Sequence, residues 1–280
     1  RMPLELLDHC TFNGPALPEP FVRFELEKEL SRLNLLPKNT GAEGKQLQVS
    51  WESYRRKLRE LAVRGGPLRV RHCVLDPLVE RLGFATAEAA PEVETREGRE
   101  DGGVLLVAGN GAKLRTWATE FEEDLDAPAK RGAAYRFSHL RIAQRVLLAS
   151  SERIGLLTNG VQLRLLISDP ARPDSEVVIP LESGWKRSRD LPDSFRFLLA
   201  LCQPAGIVAV PEIVEKARLQ QARVTKDLRL QAREAVERFV QEVLDHPANA
   251  AELENHPDRT KLARDLWHEG LVLVYRLLFI

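Results

Sequence analysis

The chain has 280 residues, 44% of them hydrophobic and 29% charged, enough apolar material to bury one large core or two smaller ones and too much for wholesale disorder. The formal net charge is zero, so no global field steers a polyanion, and any nucleic-acid contact has to come from local patches. Cys10, Cys73 and Cys202 are odd in number and lack Cys-x-x-Cys spacing, which argues against a disulfide framework or a zinc site and for a reducing cytoplasm.

No apolar run reaches the roughly 20 residues that span a bilayer, and the first residues lack a basic region followed by an apolar one. Sequence therefore predicts a soluble, cytoplasmic protein with no membrane partner.

Residues 1 to 65 read as a helical segment after a start punctuated by Pro3, Pro15, Pro18 and Pro20. One helix is expected near Phe21 to Leu35 and another near Trp51 to Val63, with Gly41 to Gly44 as the loop between them. Val70, Val74, Leu75, Leu78, Val79 and Leu82 then form a helical face that must kink or restart at Pro77.

Ala85 to Gly102 has little periodicity and reads as an exposed loop or an edge strand. Val104 to Val107 and Leu114 to Thr119 flank Gly109-Asn-Gly111, which predicts a hairpin. A nucleotide-binding loop is the sharper reading of those glycines, but no third glycine follows and the next segment is a strand, so the reading is a turn.

Ser138 is a suitable N-cap for a helix carrying Leu140, Ala143, Val146 and Leu147 on one face. It leads into Ile154-Gly-Leu-Leu-Thr-Asn-Gly-Val-Gln-Leu-Arg-Leu-Leu-Ile167, two apolar runs joined at Asn159-Gly160. This predicts a tight hairpin with a type I′ turn, positive φ at both central residues. A strand over Val177 to Ile179 follows, and beyond it the chain turns all helical: one helix opening at Asp193, a long one from Pro211 to Leu244, and a last one from Asp258 to Ile280. Leu271 to Ile280 is apolar and stops without a cap, so the natural chain is expected to continue past Ile280.

The helix followed by the strand pair Gly-Leu-Leu-Thr-Asn-Gly-x-x-Leu-Arg-Leu resembles the nuclease-like N-terminal region of large restriction-modification proteins. The run Leu266-Trp-His-Glu-Gly-Leu-Val-Leu-Val-Tyr-Arg-Leu-Leu-Phe-Ile280 resembles the helix that leads those proteins into an adenine-specific DNA methyltransferase domain, as in type IIG restriction enzymes and the methyltransferases of the BREX and DISARM phage-defence systems. The resemblance covers roughly Leu68 to Ile280. It implies an α/β (α+β) fold, with a nuclease-like mixed sheet and flanking helices at 66–190 and an all-helical connector at 191–280, following the helical segment at 1–65. It also implies double-stranded DNA, the chain's own C-terminal methyltransferase domain and other defence-system subunits as partners.

Nucleases of this kind hold Mg²⁺ on an Asp and on a Glu-x-Lys of the adjacent strand, where the metal and the lysine activate water. Asp101 stands where the family's metal-binding Asp stands, but the following strand offers Trp117, Ala118 and Thr119 where Glu-x-Lys is expected. The one Glu-x-Lys, Glu43-Gly-Lys45, lies upstream in the wrong order. The expectation is a degenerate centre with no metal; a live Mg²⁺-dependent endonuclease built on Asp76, Glu92 or Glu94 with Asp101 is the alternative. Glu120, Glu122, Glu123, Asp124 and Asp126 read as a solvated acidic loop.

The parent methyltransferase would use S-adenosylmethionine. No Asn/Asp-Pro-Pro-Tyr/Phe motif occurs between Arg1 and Ile280, so this piece carries no cofactor of its own. The histidines show no ligand spacing.

Basic residues cluster at Arg55, Arg56, Lys57, Arg59, Arg64, Arg69 and Arg71, at Lys130, Arg131, Arg136, Arg141 and Arg145, and at Lys186, Arg187 and Arg189; Arg218, Lys226, Arg229 and Arg233 form a stripe on the long helix. Charge runs on helices are usually solvated faces. As DNA contacts the sequence points to Arg136, Arg141, Gln144, Arg145, Lys186, Arg187 and Arg189, because Arg141 and Arg145 share a helix face around Gln144 and phosphate binding needs such local excess. A protein-interaction scaffold with no DNA contact is the other reading.

Overall fold

A computed structural model describes residues 10–61, 65–84, 86–89, 92–128 and 137–278. Residues up to Arg218 form one compact unit and residues from Leu219 onward a second. The boundary therefore falls inside the long helix, well after the expected one at 190, and the N-terminal helices share the core of the sheet.

The first unit opens with β1 (Thr11–Asn13), α1 (Glu19–Phe24) and α2 (Leu26–Arg32), the two helices parting at Glu25 where one helix was expected. α3 (Gly41–Glu60) begins ten residues before the expected Trp51, because the Gly41 to Gly44 segment opens the helix. α4 (Pro67–Val70) passes through a π-helical stretch, Arg71–Leu75, into α5 (Asp76–Leu82). The backbone stays helical through Leu75 and Asp76, and the Asp76 N–H bonds the Arg71 carbonyl, so the chain accommodates Pro77 by the π turn just before it and does not restart there.

β2 (Thr86–Ala89) is an edge strand, and β3 (Val93–Thr95) with β4 (Gly98–Glu100) makes a separate two-stranded hairpin. β5 (Val104–Val107) and β6 (Lys113–Ala118) form the hairpin predicted around Gly109-Asn-Gly111. The chain then crosses over through α6 (His139–Ala149), capped by Ser138 as expected, to β7 (Ile154–Thr158), which runs parallel to β6. β8 (Gln162–Asp169) and β9 (Arg172–Pro180) complete a mixed sheet in the order β1-β9-β8-β7-β6-β5-β2.

Every residue of β7 is buried. The reason is two-sided packing: Ile154, Leu156, Leu163, Leu165 and Ile167 face the N-terminal helices, α7 (Asp193–Cys202) and the first part of α8 (Pro204–Asp245). Leu157 and Leu166 face α6 through Ala143, Val146 and Leu147. A strand pair covered on both faces reads as continuous apolar runs.

The Asn159-Gly160 hairpin exists, but its turn is not type I′, because Gly160 has φ +85° while Asn159 is not among the positive-φ residues. Asn159 Oδ1 instead accepts the backbone N–H groups of Val161 and Gln162 at 3.1 and 3.0 Å. An Asx turn of this kind replaces the second left-handed residue.

In the second unit, the later part of α8 is followed by α9 (Ala250–Glu254) and α10 (Arg259–Leu278). Gly270 lets α10 approach Val236 and Phe239 on α8. Among the described residues no single helix is long and apolar enough to cross a membrane.

A Cβ at Gly160 would lie 2.7 Å from Phe121 Cδ2 and 2.8 Å from Leu61 Cδ2, on a left-handed backbone. Gly160→Ala is therefore expected to lower stability by roughly 1–3 kcal/mol. Urea unfolding with an unchanged midpoint would contradict this account of the turn.

Candidate functional site

The residues expected to carry chemistry fall in two places, the mouth of the β5–β6 hairpin, where nuclease chemistry would sit, and the basic surfaces. At the hairpin, Asp101 Oδ1 accepts the Gly103 N–H at 2.9 Å, and its backbone carbonyl accepts Trp117 Nε1–H at 3.0 Å. The carboxylate thus closes its own turn. Trp117, at the position where a carboxylate ligand is expected, is buried among Leu125, Val146, Leu147 and Leu157.

One step back along β6, Arg115 makes a buried two-pronged pair with Glu152, one prong Nη2 to Oε1 at 3.0 Å, and donates Nη1–H to the Gly102 carbonyl at 2.9 Å. An indole, an ion-paired guanidinium and a self-capped aspartate do not fit Mg²⁺, which demands oxygen ligands in near-octahedral array.

Asp76 is held at the start of α5 by Arg71 at 3.1 Å, with His72 at 3.7 Å. Among the described residues, no three His, Cys, Asp or Glu side chains converge as a metal would require. The acidic loop is spent locally: Glu123 on His139 at 3.1 Å, Asp124 on the Asp126 and Ala127 N–H groups, Asp126 on Arg164. The Arg164 guanidinium holds the Asp126 carboxyl below its usual range.

The basic residues of α6 are also engaged. Arg141 Nη1 bonds Asp174 Oδ1 at 2.7 Å. Arg145 is largely buried, ion-paired to Glu97, 3.8 Å from Glu100, hydrogen-bonded to Thr95 at 3.2 Å and stacked 4.2 Å over the Phe137 ring. It fastens the β3–β4 hairpin to α6. Gln144 is buried, so it presents no side chain to a duplex. Arg136 lies outside the described residues. On the long helix, Arg218 and Arg233 are paired with Glu215 and Glu237.

The third cluster divides. Lys186 is buried, not offered to solvent: its Nζ donates to the Leu61 carbonyl at 3.0 Å and to Glu182, and lies 5.7 Å from the Phe121 ring centre. Leu61 caps α3, so the ammonium meets the negative end of that helix. Arg187 and Arg189 are exposed.

Arg189 is joined by residues of α3, roughly a domain length away in sequence. α3 buries Trp51, Tyr54 and Leu58 on one side, where Trp51 and Tyr54 pack with Trp185 and Phe195 at ring-centre distances of 5.0 to 6.3 Å. Its outer side carries Glu52, Arg55, Arg56 and Arg59, which line a depression of 540 Å³ together with Arg189. Arg55 and Arg59 each donate Nε–H to the Lys186 carbonyl, at 3.3 and 3.1 Å.

Burial, and then the like charges of Arg59 and Arg189, push the Arg55 guanidinium pKa below its ordinary value. Arg55, Arg56 and Arg59 belong to a basic run visible in the sequence; the signal that singles them out is the four-residue spacing of Arg55 and Arg59 beside a buried Trp51-Tyr54-Leu58 face.

The fold and its sites define a mixed α/β domain with an arginine-lined depression between one helix and the segment after the last strand. No model of a known protein family, no curated protein and no solved structure matches this chain.

Removing one partner of a buried ion pair strands the other charge. Glu152→Ala is expected to cost roughly 3–5 kcal/mol, and Arg115→Met/Glu152→Leu markedly less. Chemical denaturation showing the single variant within 1 kcal/mol of wild type, to order of magnitude the value of an exposed pair, would refute the structural role of this pair.

Proposed function

We propose that this chain is a DNA-binding and docking module with a nuclease-like but non-cutting α/β core, serving an adenine-specific DNA methyltransferase of a restriction or phage-defence system. The single observation that carries the DNA part is the group of four arginines, Arg55, Arg56, Arg59 and Arg189, that line one depression, with exposed Arg187 two residues before Arg189, in a chain whose net charge is zero. Phosphate contacts need such a local excess of guanidinium, and a chain without net charge has to build it by folding.

Support for the non-cutting part is the donor set at the β5–β6 mouth: Trp117 where a carboxylate belongs, and Asp101 bonded to its own turn. The methyltransferase and the defence system come from the sequence resemblance alone, a warrant by analogy. S-adenosylmethionine would be bound by a methyltransferase domain, since this chain offers no motif for it.

A second reading, a protein-interaction scaffold, draws on the ion pairs of Arg141 and Arg145, which leave α6 without free cations to offer a duplex.

Duplex binding measured against salt separates the two readings. The DNA module should show a log–log slope of roughly −3 to −4.5, for three to five neutralised phosphates. Supercoiled plasmid should stay intact with Mg²⁺ or Mn²⁺. No binding at low salt would favour the scaffold, and metal-dependent nicking abolished by Asp101→Ala would establish a nuclease.

A further inference from the structure

The 540 Å³ depression beside α3 is more organised than a solvated basic face. Two guanidiniums, Arg55 and Arg59, spend their Nε–H groups on one acceptor, the Lys186 carbonyl. That carbonyl is itself held, because the Lys186 side chain is clamped to Leu61 and Glu182. With Nε fixed, both guanidinium planes are oriented and their Nη–H groups remain as donors, four on each group.

The opposite wall is fixed as well. Gln48, on the same side of α3, donates to the Arg189 carbonyl at 3.4 Å and accepts the Leu191 N–H at 3.2 Å, so the backbone that carries Arg189 is tied to the helix.

Three acids on the segments that frame the depression have cations of their own: Glu60 pairs with Lys57, Glu182 with Lys186 and Asp193 with Arg196. Glu52 is the acid in its lining, against four arginines, and it accepts from Gln48 at 3.2 Å. Like charges crowded around a shared carbonyl repel, and an oxyanion between them would relieve that repulsion.

We propose that Arg55, Arg56, Arg59 and Arg189 form a preorganised pocket for a single phosphate oxyanion, gripped by the Nη–H groups of Arg55 and Arg59. The pocket rests on the DNA reading only for the source of that phosphate, a nucleic-acid backbone rather than a free phosphate ester. Guanidinium suits the task because its planar fork meets two phosphate oxygens at once, which an ammonium cannot do.

The test is calorimetric titration of the full chain with inorganic phosphate, with adenosine monophosphate and with duplex DNA at matched ionic strength. Wild type is compared with Arg55→Ala/Arg59→Ala, with Arg59→Lys and with the exposed Arg56→Glu/Arg189→Glu pair, after circular dichroism shows that each variant is folded. Duplex affinity should fall by about tenfold or more in both double variants and severalfold in Arg59→Lys, which keeps the charge and loses the fork, since each lost charge-assisted hydrogen bond weakens binding severalfold to tenfold.

If the variants lose phosphate and the monophosphate but bind duplex as wild type does, the pocket stands and serves a free phosphate ester, and the DNA reading of this surface falls. Duplex binding that is unchanged in every variant, with no phosphate binding, overturns the pocket and leaves the DNA reading in place on other residues. Loss of all three ligands already in wild type overturns both.

Discussion

The two-sided burial of the β7–β8 hairpin is the constraint on which the rest of the molecule is built. A strand pair with Leu156 and Leu165 facing one way and Leu157 and Leu166 the other has no face to give to water. One side is closed by α6, the crossover between parallel strands β6 and β7. The other needs a much larger cover, supplied by α1 to α5, α7 and the start of α8. Sequence composition suggests a separate N-terminal helical segment, but the physics of covering this sheet makes that segment part of the same unit.

That cover also creates the basic depression. α3 is locked by the Trp51, Tyr54, Trp185 and Phe195 aromatic cluster, and the residue after Trp185 is Lys186, whose ammonium caps α3 and whose carbonyl orients Arg55 and Arg59. Packing and charge are therefore coupled. Tyr54 donates its hydroxyl to the Val74 carbonyl at 3.0 Å and Trp185 donates its indole N–H to Ser194 at 2.8 Å, whereas the buried Trp51 indole N–H has no partner among the described residues. At the β5–β6 mouth the same logic runs the other way: Trp117 extends the apolar layer under α6 into the place where a metal ligand would stand.

Local signals in the sequence were readable where the cause is local. Ser138 as a cap, the turn at Gly109-Asn-Gly111 and the Asn159-Gly160 hairpin each depend on neighbouring residues, and each is found. The start of α3 is misread for a steric reason that composition hides: a Cβ at Gly44 would lie 2.4 Å from the Asn39 backbone, so a glycine that reads as loop sits in a helix.

Charges followed the same division. Arg141 and Arg145 read as a free pair on one helix face, but their acids, Asp174, Glu97 and Glu100, come from other strands and turns. Lys186 reads as one of three surface cations, and only the fold reveals the helix end it caps. Arg187 and Arg189 are exposed, and the meeting of Arg189 with Arg55 and Arg59, which share the Lys186 carbonyl, could not be read from spacing.

In the proposed function, DNA would meet this chain at α3 and the segment after β9, away from the β5–β6 mouth. Hydrogen exchange of the full chain with and without a saturating duplex tests it most directly. Slowed exchange in residues 52–60 and 186–191, with α6 and residues 101–119 unchanged, is the predicted result. Slowed exchange centred on 101–119 and α6, with 52–60 and 186–191 unaffected, would contradict it.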